Sequence, residues 1–85
     1  MRRYRLYEIR WELVTDVGEF HFSEVKVFTS EEEARQYGRA KQRERNGGLS
    51  VSDKAHDGYY SKFRGVEPIA EIDGFKVLLV PATKR

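Results

Sequence analysis

The chain contains no cysteine, and this absence limits its chemistry. Without thiols there are no disulfides, no cysteine nucleophile, no cysteine-ligated zinc and no iron–sulfur cluster. A cysteine-free composition fits a reducing compartment, so we expect a cytoplasmic protein.

Long apolar segments are also lacking. The longest uninterrupted apolar run is Val77–Val80, whereas a membrane-spanning helix needs ~20 residues. The amino terminus, Met1–Arg5, is basic, but no apolar stretch follows it. The sequence therefore predicts neither a membrane partner nor a secretory signal.

Neither sign of charge dominates the chain. It carries 16 basic and 14 acidic residues, a net charge of +2. A dedicated nucleic-acid-binding protein usually has a larger excess or gathers it on one face, so the distribution of charge matters more than its sum. Hydrophobic residues form 39% of the 85 positions, which predicts one folded domain over residues 1–85, with a stability on the order of 5 kcal/mol.

Known catalytic patterns are absent from the sequence. There is no phosphate-binding loop, dinucleotide fingerprint or nucleophile elbow. The nearest approach to a metal-binding pattern is Asp53, His56 and Asp57, which offers too few ligands for a hard cation and the wrong ones for zinc. His21 is expected to point to solvent from a strand. We therefore predict no enzyme, no cofactor and no metal site.

Alternation of apolar and polar residues predicts two initial strands. Over residues 4–14 the apolar positions share one side, which is the pattern of a half-buried strand; they are Tyr7, Ile9, Trp11 and Leu13. A turn at residues 16–18 leads to a second strand over 19–28. There the apolar residues have mixed parity, and a bulge near Ser23-Glu24 would bring them to one side; they are Phe20, Phe22, Val25 and Val27.

A helix is predicted over about residues 31–45. Ser30 and Glu33 form a capping box at its start, and Asn46-Gly47-Gly48 ends it. Its acidic first turn and basic last turns suit the helix dipole. The helical repeat places a narrow face of mostly small residues toward the sheet; it comprises Ala34, Tyr37, Ala40 and Lys41. Residues 46–58 have no period and predict a long loop.

A second hairpin is predicted after this loop. Residues 59–72 read as extended, with Pro68 favouring an edge position or a bulge. Asp73-Gly74 is a two-residue turn signal before a last strand, Phe75–Val80. The predicted fold class is therefore α+β, in the order β-β-α-β-β, with a small antiparallel sheet and one helix packed on one of its faces.

Three basic clusters are candidate binding surfaces. Arg35, Arg39 and Arg43 form a stripe on the helix, predicted to point away from the sheet; a solvated helix face, with Glu31–Arg35 as an ordinary i,i+4 pair, is the alternative. The second cluster interleaves basic and aromatic residues, as nucleic-acid sites and protein hot spots both do; its members are Tyr59, Tyr60, Lys62 and Arg64. The third lies at the amino terminus and offers a nucleic-acid contact through Arg2, Arg3 and Arg5.

Residues 4–40 show a resemblance to a known family. Two strands followed by the run Phe28–Tyr37 resemble the Arm-type DNA-binding domain of phage integrases, in which a small sheet precedes a helix that opens F-x-S/T-x-x-E-A-x-x-Y/W. This resemblance implies DNA binding by the sheet. The chain departs from the pattern, because its first two strands carry carboxylates where Lys and Arg would be expected, and a second hairpin follows the helix.

These observations leave three hypotheses open. The first is a non-enzymatic protein that binds a protein partner stoichiometrically, of the accessory or inhibitor type found in phages and mobile elements, anti-CRISPR proteins among them. The second is a nucleic-acid-binding protein that uses the basic helix face. The third is a homodimer that covers the apolar run Val77–Val80. The sequence favours the first, with the second as the alternative.

Overall fold

The computed structural model describes residues 4–73 and 76–79. Four antiparallel strands form one sheet: β1 (Tyr4–Thr15), β2 (Gly18–Phe28), β3 (Tyr60–Asp73) and β4 (Lys76–Leu79). Their spatial order is β2-β1-β3-β4. Between the hairpins lie helix α1 (Glu31–Arg45), helix α2 (Val51–Lys54) and a short 3₁₀ helix (Ala55–Asp57). This arrangement confirms the predicted fold class.

Helix α1 covers one face of the sheet, opposite the central strands. The alternating residues Tyr7, Ile9 and Trp11 of β1 are all buried beneath it. Trp11 is fully enclosed, and its indole N–H donates a 2.9 Å hydrogen bond to the carbonyl of Gly38. Gly38 is therefore the point of closest approach between helix and sheet.

The helix face differs from the predicted one in its second half. Ala34 is buried and Tyr37 is partly buried, as predicted. Ala40, however, is exposed, and Gly38 takes the buried position instead. The reason is the close approach of the helix to the sheet at this point, because a Cβ atom at position 38 would collide with the Phe63 ring and press on the Ile9 side chain.

Both ends of α1 follow the sequence prediction. The Ser30 hydroxyl accepts a 3.1 Å hydrogen bond from the backbone N–H of Glu33. The Glu33 carboxylate accepts a 2.9 Å bond from the backbone N–H of Thr29, which extends the capping box by one residue. Asn46 is the C-cap.

The predicted bulge in β2 is wrong. Every residue from Gly18 to Phe28 has a consecutive partner on β1. Phe22 pairs with Trp11 on the helix-covered face, whereas Val25 pairs with Glu8 on the opposite, open face. As an edge strand, β2 is solvent-exposed along nearly its whole length, so it need not collect its apolar residues on one side.

Bulges occur instead between β1 and β3. The register shifts between Leu6 and Tyr7 and between Arg10 and Trp11. The first shift falls beside Pro68, which confirms the bulge predicted there. The pairing of Asp73 with Lys76 joins β3 to β4, while Gly74 and Phe75 of the predicted turn lie outside the described residues.

Residues 46–58 are more ordered in backbone than the sequence suggested. Helix α2 and the 3₁₀ helix occupy residues 51–57. Ser50 caps α2 by accepting a 3.2 Å hydrogen bond from the backbone N–H of Asp53. The Ser50-x-x-Asp53 spacing is a capping signal. It is visible in the sequence, but apolar periodicity alone does not reveal it. In the described part of the chain, no helix is long and apolar enough to cross a membrane.

Candidate binding groove

A groove of about 780 Å³ lies beside the second half of α1. Its walls are the helix, the segment 49–52 and the β3 strand near Lys62. Two cations of the helix, Arg39 and Arg43, line it together with Lys62. Three of the residues predicted to bind a partner therefore meet at one site.

Two helix side chains fix this groove by binding the outer edge of β3. The Asn46 amide donates to the carbonyl of Ser61 at 2.9 Å and accepts from the Ser61 N–H at 2.8 Å. One turn earlier, the Gln42 side-chain oxygen accepts from the N–H of Phe63 at 2.7 Å. Asn46 and Gln42 thus occupy backbone groups that a neighbouring strand would otherwise take, and they set the distance between helix and strand.

The groove carries positive charge without compensation from its lining. No carboxylate lines it. Among residues 4–73 no ion pair is formed by Arg39, Arg43 or Lys62. The Arg39 guanidinium instead lies 5.7 Å from the centre of the Phe63 ring. Unpaired cations gathered at a concave surface attract an anionic group more strongly than the same cations scattered over a convex one.

The groove also has an apolar part beside its cations. Leu49 is 42% exposed and Val51 is half-buried. Both line the groove, whereas no aromatic ring does. These two residues were missed by the sequence reasoning, because only the capping of α2 by Ser50 brings them beside the arginines.

The predicted arginine stripe is thus divided by the structure. Arg35 is held by Glu31 through contacts of 2.9 and 3.0 Å, which confirms the i,i+4 pair. Arg39 lies along the flank of the helix over Phe63 rather than pointing away from the sheet. Only Arg39 and Arg43 of the stripe reach the groove, because the helix is rotated to seat Gly38 on Trp11.

The aromatic and basic cluster of residues 59–64 does not form one surface. Tyr59 is half exposed and lies under the Lys54 ammonium, 4.1 Å from the ring centre. Tyr60 is partly buried. Arg64 extends toward Glu12, with 3.6 Å between the nearest atoms. Strand alternation and the bulge at Arg64 separate these side chains.

The amino-terminal cluster is described only at Arg5. Its guanidinium forms a 3.2 Å ion pair with Glu71 of β3. Arg2 and Arg3 lie outside the described residues. Arg5 is therefore engaged within the fold, and the predicted nucleic-acid contact through these three residues stays a prediction.

One carboxylate and histidine cluster occurs among the described residues. Glu12, Glu19 and His21 bring potential ligand atoms within 4.8 Å of one another. The buried Glu12 carboxylate lies 3.7 Å from the His21 imidazole and 3.6 Å from the Arg64 guanidinium, so both groups already face it. His21 is exposed, as predicted. Asp57 belongs to the Asp53, His56 and Asp57 pattern noted in the sequence, and its carboxylate forms a 3.0 Å ion pair with Lys54.

The fold and the groove define a small α+β domain with a basic concave surface beside α1. Comparisons with models of protein families, with curated proteins and with solved structures give no match. The resemblance to the integrase Arm-type domain therefore depends on the two strands and the run Phe28–Tyr37, and the groove is the feature from which a function is proposed below.

Proposed function

We propose that this chain is a non-enzymatic binding protein of the accessory or inhibitor type, which associates stoichiometrically with a protein partner. The groove holds an acidic segment of that partner. The observation that carries the proposal is the lining itself: three cations, two aliphatic side chains, no carboxylate and no aromatic ring. Arginine binds carboxylates through two parallel hydrogen bonds, which gives such a contact both affinity and orientation.

The apolar part of the groove favours protein over nucleic acid. Leu49 and Val51 offer contacts to aliphatic or aromatic side chains of a peptide. A single-stranded nucleic acid would seek aromatic rings for base stacking, and the groove lining has none. Three cations are also few for a nucleic-acid site. A protein whose affinity depends strongly on salt neutralises on the order of six to ten phosphates with its Lys and Arg side chains.

Substitution of Arg39 and Arg43 tests this function. We expect the Arg39→Ala/Arg43→Ala variant to bind the partner roughly a hundredfold more weakly, because each charged hydrogen bond contributes about 1.5–3 kcal/mol. The partner is first purified on the wild-type chain from nuclease-treated cells of its source organism. Its affinity for each variant is then measured by calorimetry.

Two single variants provide controls for this experiment. Arg35→Ala removes an arginine of the same helix that is already paired with Glu31, so binding should be unchanged. Arg43→Ala alone should weaken binding without altering packing, since the Arg43 side chain makes no hydrogen bond, ion pair or ring contact with the described residues, and its backbone bond to Gly48 is kept in the variant. Equal affinity of the wild type and the double variant would contradict the proposal.

Binding of nucleic acid in the same groove is the second candidate, favoured by the three cations that no carboxylate balances. If three phosphates were neutralised, the logarithm of the affinity would fall with that of salt concentration with a slope of about −2 to −3. Fluorescence anisotropy with labelled single-stranded DNA and RNA measures this slope. Release of all bound material by nuclease would favour this candidate over a protein partner.

A further inference from the structure

The edge strand β2 is open along its outer side. It runs for 11 residues and pairs with β1 on one side only. Four large apolar side chains on it are between 36% and 54% exposed; they are Phe20, Phe22, Val25 and Val27. Proteins usually protect an edge with a bulge, a proline or a short strand, and β2 has a continuous register and no proline.

The opposite edge of the sheet consists of the four-residue strand β4 and of the part of β3 that extends beyond it. Strand β4 pairs with residues 70–73 of β3. Farther along, Asn46 and Gln42 bind the backbone of Ser61 and Phe63. Of the two edge strands in the described sheet, β2 is therefore the longer, with 11 residues against four in β4.

The sequence of β2 is complementary to itself when two copies run antiparallel around Val25. In that register Val25 faces its own counterpart, and Glu24 faces Lys26 twice. Phe22 then faces Phe28, which places aromatic rings beside aromatic rings. Opposite charges and apolar pairs at facing positions stabilise an antiparallel ladder.

Neighbouring registers lack this match. Centring the pair on Glu24 would set two carboxylates against each other, and centring it on Ser23 would set Phe22 against Glu24. A register shifted by a single residue would pair side chains from opposite faces. The Val25-centred register is thus the one that satisfies charge and apolar contacts together.

Glu24 and Lys26 are placed for such contacts. The Glu24 carboxylate accepts a 2.7 Å hydrogen bond from the Tyr37 hydroxyl. This bond, with burial, raises the Tyr37 pKa, so the hydroxyl stays protonated and holds the carboxylate in position. The Lys26 ammonium lies 5.2 Å from the centre of the same ring. Among the described residues neither Glu24 nor Lys26 forms an ion pair.

We propose that the chain forms a homodimer in which the β2 strands of two copies pair antiparallel over residues 22–28, with Val25 on the two-fold axis. The two sheets become one continuous sheet, and both α1 helices lie on the same face. The interface contains no residue of the basic groove, so the dimer presents two open grooves. The proposal is independent of what the grooves bind.

Charge exchange between Glu24 and Lys26 tests the register. Glu24→Lys or Lys26→Glu alone should weaken the dimer about tenfold or more, because like charges then face each other at two symmetric places. A mixture of the two variants restores opposite charges and should form a heterodimer of wild-type affinity. Sedimentation equilibrium, with one variant labelled, measures these affinities.

Single cysteines test the position of the axis in a chain that has no other thiol. Val25→Cys should form a disulfide-linked dimer in a glutathione buffer, since its two copies face each other. Val27→Cys, on the same face and similarly exposed, is the matched control. Its two copies would lie about 13 Å apart, beyond the ~7 Å limit for a disulfide.

A wild-type chain that sediments as a monomer at its highest soluble concentration would overturn the proposal. So would a dimer in which Val25→Cys and Val27→Cys cross-link equally fast, because the two strands would then not pair around Val25. Selective cross-linking at Val25, together with rescue in the charge-exchange mixture, is the expected result.

Discussion

Gly38→Ala is expected to lower the free energy of unfolding by about 2 kcal/mol, although alanine ordinarily stabilises a helix interior by about 1 kcal/mol relative to glycine. A Cβ atom at this position would lie 2.6 Å from Cδ1 of Phe63 and 3.0 Å from Cγ2 of Ile9. Ile9 is fully buried, so it has little room to move.

The helix would have to move away from the sheet to admit this methyl group. Such a shift stretches the hydrogen bond from the Trp11 indole to the Gly38 carbonyl. Overpacking a close contact costs about 1–3 kcal/mol, and a weakened buried hydrogen bond adds about 1 kcal/mol. These costs exceed the gain in helix propensity.

Urea unfolding monitored by fluorescence of the single tryptophan measures the change. Gln36→Ala, at an exposed position of the same helix, is the control and should shift stability by no more than ~0.5 kcal/mol. Adding Phe63→Leu to Gly38→Ala should recover part of the loss by making room for the methyl group. A Gly38→Ala variant more stable than the wild type would show that propensity outweighs the contact.

The elements of this fold are predictable because their signals are local. Alternation along β1 and the capping box at Ser30 each depend on a few neighbouring residues, and the structure confirms both. The bulge assigned to Ser23-Glu24 failed for a different reason. It assumed that all apolar residues of β2 face one core, whereas an edge strand exposes apolar residues on both faces.

The groove was only partly predictable, since it depends on how elements pack. Arg39 and Arg43 are recognisable as candidates from their spacing. Their meeting with Lys62 depends on the rotation of α1, which the Trp11 bond to Gly38 sets. Leu49 lies just before the capping signal at Ser50, but its place in the groove follows only once the segment 49–52 is known to lie beside α1.

The C-cap of α1 is expected to give the other large effect on stability. Asn46→Ala should lower the free energy of unfolding by about 3 kcal/mol, a large part of a total on the order of 5 kcal/mol. Asn46 is 1% exposed, and its amide binds both backbone groups of Ser61. Alanine would leave a buried donor and a buried acceptor unsatisfied, at about 1–3 kcal/mol each.

The backbone at this position does not explain the loss. Asn46 has φ −92° and ψ 14°, and because φ is negative alanine can take this conformation as asparagine does. Asn46→Leu separates hydrogen bonding from packing, because leucine has a similar volume and no polar atom. We expect it to be about as destabilising as alanine, measured by the same urea unfolding.

Ser61→Ala is the matched control on the strand side. The Ser61 hydroxyl is buried and has no hydrogen-bond partner among the described residues, while its backbone carries both bonds to Asn46. Removing the hydroxyl leaves those bonds in place and should not lower stability. If Ser61→Ala and Asn46→Ala were equally destabilising, the pairing of amide and backbone would not be what joins α1 to β3, and the position of the groove wall would need another cause.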